Sequence, residues 1–391
     1  MTTTDAALDL RAARAAAIEA SGWGTPFRLV QLRNAAFWVF VFGMAAGILL
    51  MIQYYSPTLG AYGVGLGSGI IMFALYTIPW LFLLSYHNRY TSLPPKLLLV
   101  AALWSGIAGT YAIGLQANDA IVSLYTKAFG PAWSHDWGPG LTAPFTEEFA
   151  KASALILLIG LAPRLVRSPY DGLIIGAFAG LGLQISEDVL YVVNGTAAAF
   201  GTDQVGTAFA TLSSRGWAGL FQHVLFSAVF CAGLMWLIGR GDRGHRLRGL
   251  VLMLSAMLAH SIWDNMAAYG YVIAGGFGFL GLMIVTIIAE LILLRTTFRL
   301  AAPQEQSWLR AILAPEAEGN VLTDAEVNAA AGGRRTRKAY RKSVHGHHER
   351  KTAEHVLAAA HDLAQELAES RGQDTERVIH ARAEIARLRA T

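Results

Sequence analysis

The chain has 391 residues, 54% of them hydrophobic and 15% charged, and a formal net charge of +4. That balance excludes an ordinary soluble domain, and the single cysteine, Cys231, excludes internal disulfides and cysteine-based metal centres. Apolar runs dominate to about residue 300, after which the chain is polar and helix-prone.

Residues 1–34 are Ala-rich, carry Asp5, Asp9, Arg11, Arg14 and Glu19, and lack an apolar core. They read as a short amphipathic helix ahead of the membrane, not as a cleavable signal. Apolar stretches long enough to cross a bilayer follow at roughly 35–52, 66–86, 97–117, 147–162, 171–193, 217–239, 249–270 and 276–298. The fourth is short and opens with charges, and the basic residues decide in its favour. With eight spans, Arg28 and Arg33, Arg89 and Lys96, Arg164 and Arg167, Arg240, Arg243, Arg246 and Arg248, and Arg295 and Arg299 all fall on one side. The opposite loops carry only Lys127 and Arg215. This is the positive-inside pattern with both termini cytoplasmic. The expected fold is therefore an all-α polytopic membrane protein of about eight transmembrane helices. Its parts are a cytoplasmic segment (1–34), a membrane domain (35–299) and a cytoplasmic helical tail (300–391).

Within the fifth span Gly172, Gly176 and Gly180 recur every four residues and predict a smooth face for a neighbouring helix. Trp80, Trp104, Trp217 and Trp236 are expected as interfacial anchors or lipid-facing bulk. In the tail, Arg334, Arg335, Arg337, Lys338, Arg341 and Lys342 form a basic block expected to lie against anionic lipid or to meet a cytoplasmic partner. Nucleic acid is disfavoured, because aromatic interleaving is limited to Tyr340. Apolar positions from Val356 to Leu388 predict an amphipathic helix or helix pair broken near Gly372. His345, His347 and His348 read as solvated tail histidines with no assigned chemistry.

Ionisable side chains inside spans carry the functional signal, since each costs about 2.5–3.5 kcal/mol at a helix centre on insertion scales. They are Glu147, Glu148 and Lys151 on the fourth span, Glu187 and Asp188 on the fifth, His223 on the sixth, and His260 with Asp264 on the seventh. Under the eight-span topology all of them lie in the non-cytoplasmic half of the bilayer. Lys151 stands i+4 from Glu147 and i+3 from Glu148, within reach of either carboxylate, and Asp264 stands i+4 from His260, placed to orient its ring. Taken alone, the two glutamates also suit the first turn of a helix behind Thr146 as cap. Four helices delivering carboxylates and imidazoles to one depth suit hydrolysis by activated water. Ser186 and Ser227 lack the glycine context of a nucleophile elbow. A metal route would use His223 and His260 with one or two of Glu147, Glu148 and Glu187; there is no HExxH motif to fix the choice.

The stretches APFTEEFAK (143–151), YDGLIIGAFAGLGLQISEDVLY (170–191), FQHVLFSA (221–228) and AHSIWDN (259–265) resemble the PrsW family of intramembrane proteases, related to the CAAX-protease and bacteriocin-processing group. The resemblance covers roughly 143–265. It implies cleavage of a membrane-anchored protein, with Glu147, Glu148, Glu187, His223 and His260 in the active site and Lys151, Asp188 and Asp264 in support. His223, His260 and Glu187 are the expected metal ligands, zinc the expected ion, and a metal-free glutamate mechanism stays open beside it. The chain departs from the family in two places: Asp188 stands where Asn is usual, and Asp264 stands near a usual Asn, with Asn265 adjacent. The alternative from the residues alone is a proton- or ion-coupled transporter using the same carboxylates. Its usual inverted repeat is not visible between the two halves.

Overall fold

The computed structural model describes residues 3–241 and 244–390, so Arg243 of the basic clusters lies outside the described residues. All regular structure among the described residues is helical. In chain order the helices are α1 (Thr3–Ser21), α2 (Ala35–Tyr55), α3 (Leu59–Asn88), α4 (Pro95–Leu103), a π-helical stretch (Trp104–Gly114), α5 (Leu115–Phe129), α6 (Pro131–Leu161), α7 (Pro169–Ala198), α8 (Gln204–Ala218), α9 (His223–Leu237), α10 (Arg246–Asp264), α11 (Met266–Glu318), α12 (Asp324–Ala331), α13 (Arg334–Ser343), α14 (His347–Glu369) and α15 (Glu376–Ala390).

Among the described residues six helical segments are long and apolar enough to cross a bilayer by length and composition: α2, α3, Pro95–Phe129, α7, Gln204–Leu237 and α11. The protein is thus polytopic, and the expected count of eight exceeds these six by α6 and α10. Those two helices carry Glu147, Glu148 and Lys151, and His260 and Asp264, respectively. The outer faces of α2, α3 and α11 expose Phe42, Leu49, Ile70, Leu75, Phe82, Val285 and Ile288 to the surroundings. Such faces are stable only against lipid.

Helix α7 is the axis of the bundle. Its start is fixed by a capping box in which Ser168 and Asp171 satisfy each other's backbone amides, and most of its length is buried. The glycine spacing is used as the sequence predicts. A Cβ on Gly172, Gly176 or Gly180 would lie 2.6, 2.2 or 2.3 Å from the carbonyl oxygens of Cys231, Ser227 and His223. The backbone of α9 therefore rests directly on α7, which brings the start of α9 against the middle of α7 at Gly180. On another side Gly182 and Gly106 bring the end of α4, at Ala102, and the π-helical stretch equally close to α7.

Three of the four tryptophans expected at the lipid boundary are inside. Trp80, Trp104 and Trp236 are buried, and only Trp217 is exposed. The indole N–H of Trp104 donates to Ser153 Oγ at 2.8 Å, so a hydrogen-bond partner from α6 makes its burial tolerable.

The two ends of the chain form one polar-surfaced helical layer. Ile18 and Trp23, Leu309, Ile312 and Leu313 from the end of α11, and Val356, Leu363, Leu367, Val378 and Ile385 share an apolar cluster. Glu316 ties the layer together, accepting from Arg14 at 2.7 Å and from Arg382 at 2.7 Å. Gly22, at φ +75°, lets the chain pass beneath the Arg164 carbonyl; a Cβ there would come within 1.8 Å of that oxygen. The layer thus sits on the same end of the bundle as the α6–α7 loop and the α3–α4 loop, where Tyr90 Oη donates to the Gly332 carbonyl at 3.3 Å.

Candidate active site

Helix geometry sets the depth of the site. Glu147 stands fourteen residues before the end of α6, His223 fourteen before the end of α9, and His260 fourteen after the start of α10. All three of those ends face the loops beneath the terminal layer. At 1.5 Å per residue each side chain therefore starts about 21 Å from that end, beyond the midplane of a ~30 Å core. Gln222 breaks the helical path at φ −121°, ψ −126°, so His223 opens α9 as its first residue.

The side chains meet. On α6, Lys151 Nζ lies 2.6 Å from Glu148 Oε1 and 3.9 Å from Glu147 Oε2. Both Glu148 and Lys151 are fully buried. Each imidazole bonds a second glutamate through one nitrogen and turns the other toward Glu147. His260 Nδ1 bonds Glu148 Oε1 at 3.0 Å, leaving Nε2 3.8 Å from Glu147 Oε2 and 3.3 Å from Asp264 Oδ2. His223 Nε2 bonds Glu187 Oε2 at 3.0 Å, leaving Nδ1 3.7 Å from the same Glu147 oxygen and 3.1 Å from Lys151 Nζ. Ser227 Oγ donates to the remaining oxygen of Glu148 at 3.1 Å, and Asn118 Nδ2 donates to Glu147 Oε1 at 3.1 Å. The His260 ring stacks on Phe226, with centroids 4.8 Å apart.

Every residue singled out in the sequence belongs to this cluster, though not in equal positions. Glu147, Glu148, Lys151, His223, His260 and Asp264 touch one another directly. Glu187 reaches the centre only through His223, and Asp188 faces Arg215. The residue that sequence reasoning missed is Arg215 on α8, whose Nη2 lies 2.7 Å from Glu187 Oε2 and whose Nε donates to Asp188. Its guanidinium also stacks over Tyr191 at 3.7 Å. Its signal was available: it is one of two basic residues on a side otherwise free of them. Asn118, from amphipathic α5, gave no local signal. Asn265 is tied to the start of α6, accepting from Gly140 N at 2.7 Å and donating to the Trp137 carbonyl at 3.0 Å. Asp264, not Asn265, is therefore the partner of His260.

Glu147, His223 and His260 each offer one ligand atom within 4.8 Å of the others. Two of those atoms, Glu147 Oε2 and His260 Nε2, are buried without a hydrogen-bond partner. Asp264 Oδ2, 3.3 Å away, compensates that nitrogen in part, whereas the Glu147 oxygen has no donor within hydrogen-bond reach and is costly to bury unless something joins it to the imidazoles. Two imidazoles and a carboxylate form a donor set that suits a catalytic divalent ion and leaves a coordination position open. The grouping takes Glu147 where the sequence expectation had Glu187, because Arg215 and His223 already hold the Glu187 carboxylate.

A family model, PrsW family intramembrane metalloprotease, matches residues 93–292, just over half of the chain. The chain belongs to the PrsW family. No curated protein and no solved structure matches it. The PrsW match includes every site residue named above and extends well before the 143–265 stretch recognised from motifs, taking in α4, the π-helical stretch and α5. A PrsW protein is a hydrolase of the membrane, and the buried glutamate–histidine group stands within the matched region.

Proposed function

We propose that this protein cuts a peptide bond of a membrane-anchored protein, with water activated at Glu147, His223 and His260. The observation that carries the reading is the convergence of both imidazoles on Glu147 Oε2, each fixed from behind by another glutamate. A carboxylate on the rear nitrogen selects the tautomer and orients the ring, as in metal-ligating histidines generally. Those three residues would hold a divalent ion, and zinc suits the set. When bound, such an ion supplies Lewis acidity and brings the pKa of a water near neutrality. The chain itself supplies the rest: Lys151 compensates Glu148, and Arg215 compensates Glu187 and Asp188, so that both glutamates stay ionised behind the imidazoles they orient.

We place both termini and the terminal layer in the cytoplasm, because the basic clusters gather at that end of the bundle. Helices α6 and α10 are then two further crossings, and the bond is cut in the outer half of the bilayer. The anchor of the substrate enters from lipid, which supplies the two-dimensional confinement that a soluble peptide lacks.

The test is a purified, reconstituted protein with a single-span reporter. Glu147→Ala, His223→Ala and His260→Ala are expected to insert and melt as folded proteins, to lose bound metal by elemental analysis, and to leave the reporter whole. Wild-type turnover in all three removes the proposal.

A further inference from the structure

The last turns of α3 and its C-cap carry Phe82, Tyr86 and Arg89 at i, i+4 and i+7, one helix face. Phe82 is 75% exposed and Tyr86 54%, so in a bilayer this face lies against acyl chains. Arg89 follows about 10 Å further along the axis, at headgroup depth. Its guanidinium lies over the Tyr86 ring at 3.7 Å and 5.0 Å from the centroid of Tyr90.

A second guanidinium shares the Tyr90 ring. Arg337 in the first turn of α13 stands 5.3 Å from that centroid, brought there by the hydrogen bond from Tyr90 to Gly332. The side chains that act most on the two arginines are Tyr86 and Tyr170 at Arg89, and Arg89, Tyr86 and Arg341 at Arg337. Burial lowers the pKa of Arg89, and burial with the repulsion of Arg89 and Arg341 lowers that of Arg337 to about 10. Arg89 Nε and the neighbouring His87 Nδ1 are buried without a hydrogen-bond partner. Elsewhere in the terminal layer the chain pairs its arginines: Arg14 and Arg382 meet Glu316, Arg341 meets Glu354, and Arg389 meets Glu326. Two adjacent guanidiniums without an acid, one with an unfilled donor, form a site for an oxyanion.

We propose that Arg89 and Arg337 bind the phosphate of an acidic phospholipid whose acyl chains lie along Phe82 and Tyr86. The apolar face running directly from the charged pair favours a lipid over a free phosphate, which would have no use for it. Arg334, Arg335 and Lys338 on exposed parts of α13 add a diffuse attraction to an anionic surface but hold no defined partner. The site joins α3 to α13 and so links the membrane domain to the terminal layer through a lipid.

The experiment is native mass spectrometry of the full chain in detergent, titrated with phosphatidylglycerol and phosphatidylcholine of matched acyl chains. Wild type is expected to retain phosphatidylglycerol preferentially. Arg89→Gln or Arg337→Gln is expected to reduce that retention about fivefold each, while Arg334→Gln changes it little. Helix α13 buries no residue, so Arg337→Gln keeps the test usable should Arg89→Gln fail to fold. Equal retention in wild type and Arg337→Gln, equal retention of the two lipids, or displacement of the lipid by millimolar inorganic phosphate would each overturn the proposal. The last outcome would mark a site for free phosphate.

Discussion

The Lys151 ammonium sits 3.1 Å from His223 Nδ1, the nitrogen that also faces Glu147 Oε2. It therefore occupies a lone pair that a divalent ion would need, while its closer partner is Glu148 at 2.6 Å. Removing it acts in two directions. Glu148 is left buried without its cation, which costs about 3–5 kcal/mol in the ion-free protein. The same change frees His223 and leaves more negative charge around the triad, so an ion binds better. Lys151→Gln is expected to melt well below wild type in chelator and to gain more than wild type from added zinc. Thermal melts with and without the ion, read beside reporter cleavage, check this; an unchanged melt with an unchanged ion response would contradict it.

Arg215 makes a second prediction, because it bridges two acids that differ in what they do. Glu187 holds His223, whereas Asp188 touches only Arg215. Asp188→Asn keeps an oxygen for the guanidinium and is expected to cleave within about threefold of wild type, since partners of this kind act through orientation. Arg215→Gln frees Glu187 to leave His223 and is expected to lose about 10–100-fold in cleavage or ion affinity. Arg215→Lys should fall nearly as far, since a point charge cannot hold both carboxylates in the fork that arginine makes. Cleavage rates and bound zinc in the three variants separate the roles.

The glycine seam gives a third. A methyl on Gly180 would meet the His223 carbonyl at 2.3 Å, backbone against backbone, with nothing flexible to yield. Gly180→Ala is expected to destabilise by about 1–3 kcal/mol and to push His223 off its partners, so activity falls further than stability. Gly67 lies in the same kind of helix with nothing within 4 Å of its missing Cβ. Gly67→Ala is expected to be neutral or slightly stabilising. Melting temperature and cleavage for the pair test whether the seam positions the site or only fills space.

The depth of the site was legible in the sequence because positions along a helix convert to distance, and Glu147, His223 and His260 lie equally far from basic loop ends. The seam was legible for the same reason, as a four-residue period. Arg215 stood out only as one of two basic residues in the loops opposite the basic clusters, and Asn118 not at all, because α8 and α5 are amphipathic helices whose placement over the site is set by tertiary packing. The tryptophans misled for a related reason: composition cannot distinguish lipid from protein as the apolar neighbour of Trp80 or Trp236. Nor could it show that α1 packs on α11, since Arg14 and Glu316 stand 302 residues apart. The helices that carry the catalytic set are also those whose apolar character the set dilutes, which is why α6 and α10 are missing from the six evident crossings.

The junction between the layer and the bundle predicts a pH dependence outside the membrane. His361 on α14 packs its ring against Tyr90, with centroids 6.1 Å apart. Burial and the nearby Arg89 and Arg337 guanidiniums lower its pKa to about 3, against an ordinary 6.5. The unfolded chain then binds a proton at His361 between pH 6.5 and 3 that the folded chain refuses, so the stabilisation is complete above 6.5 and is lost as pH falls through that window. The terminal layer is expected to loosen below pH 6 before the membrane helices do, which proteolysis of the layer in intact proteoliposomes reports. His361→Leu removes the titrating group while keeping the ring contact apolar, and should flatten the acid limb of that profile. An identical acid limb in the variant would assign the loosening to other groups and refute the role given to His361.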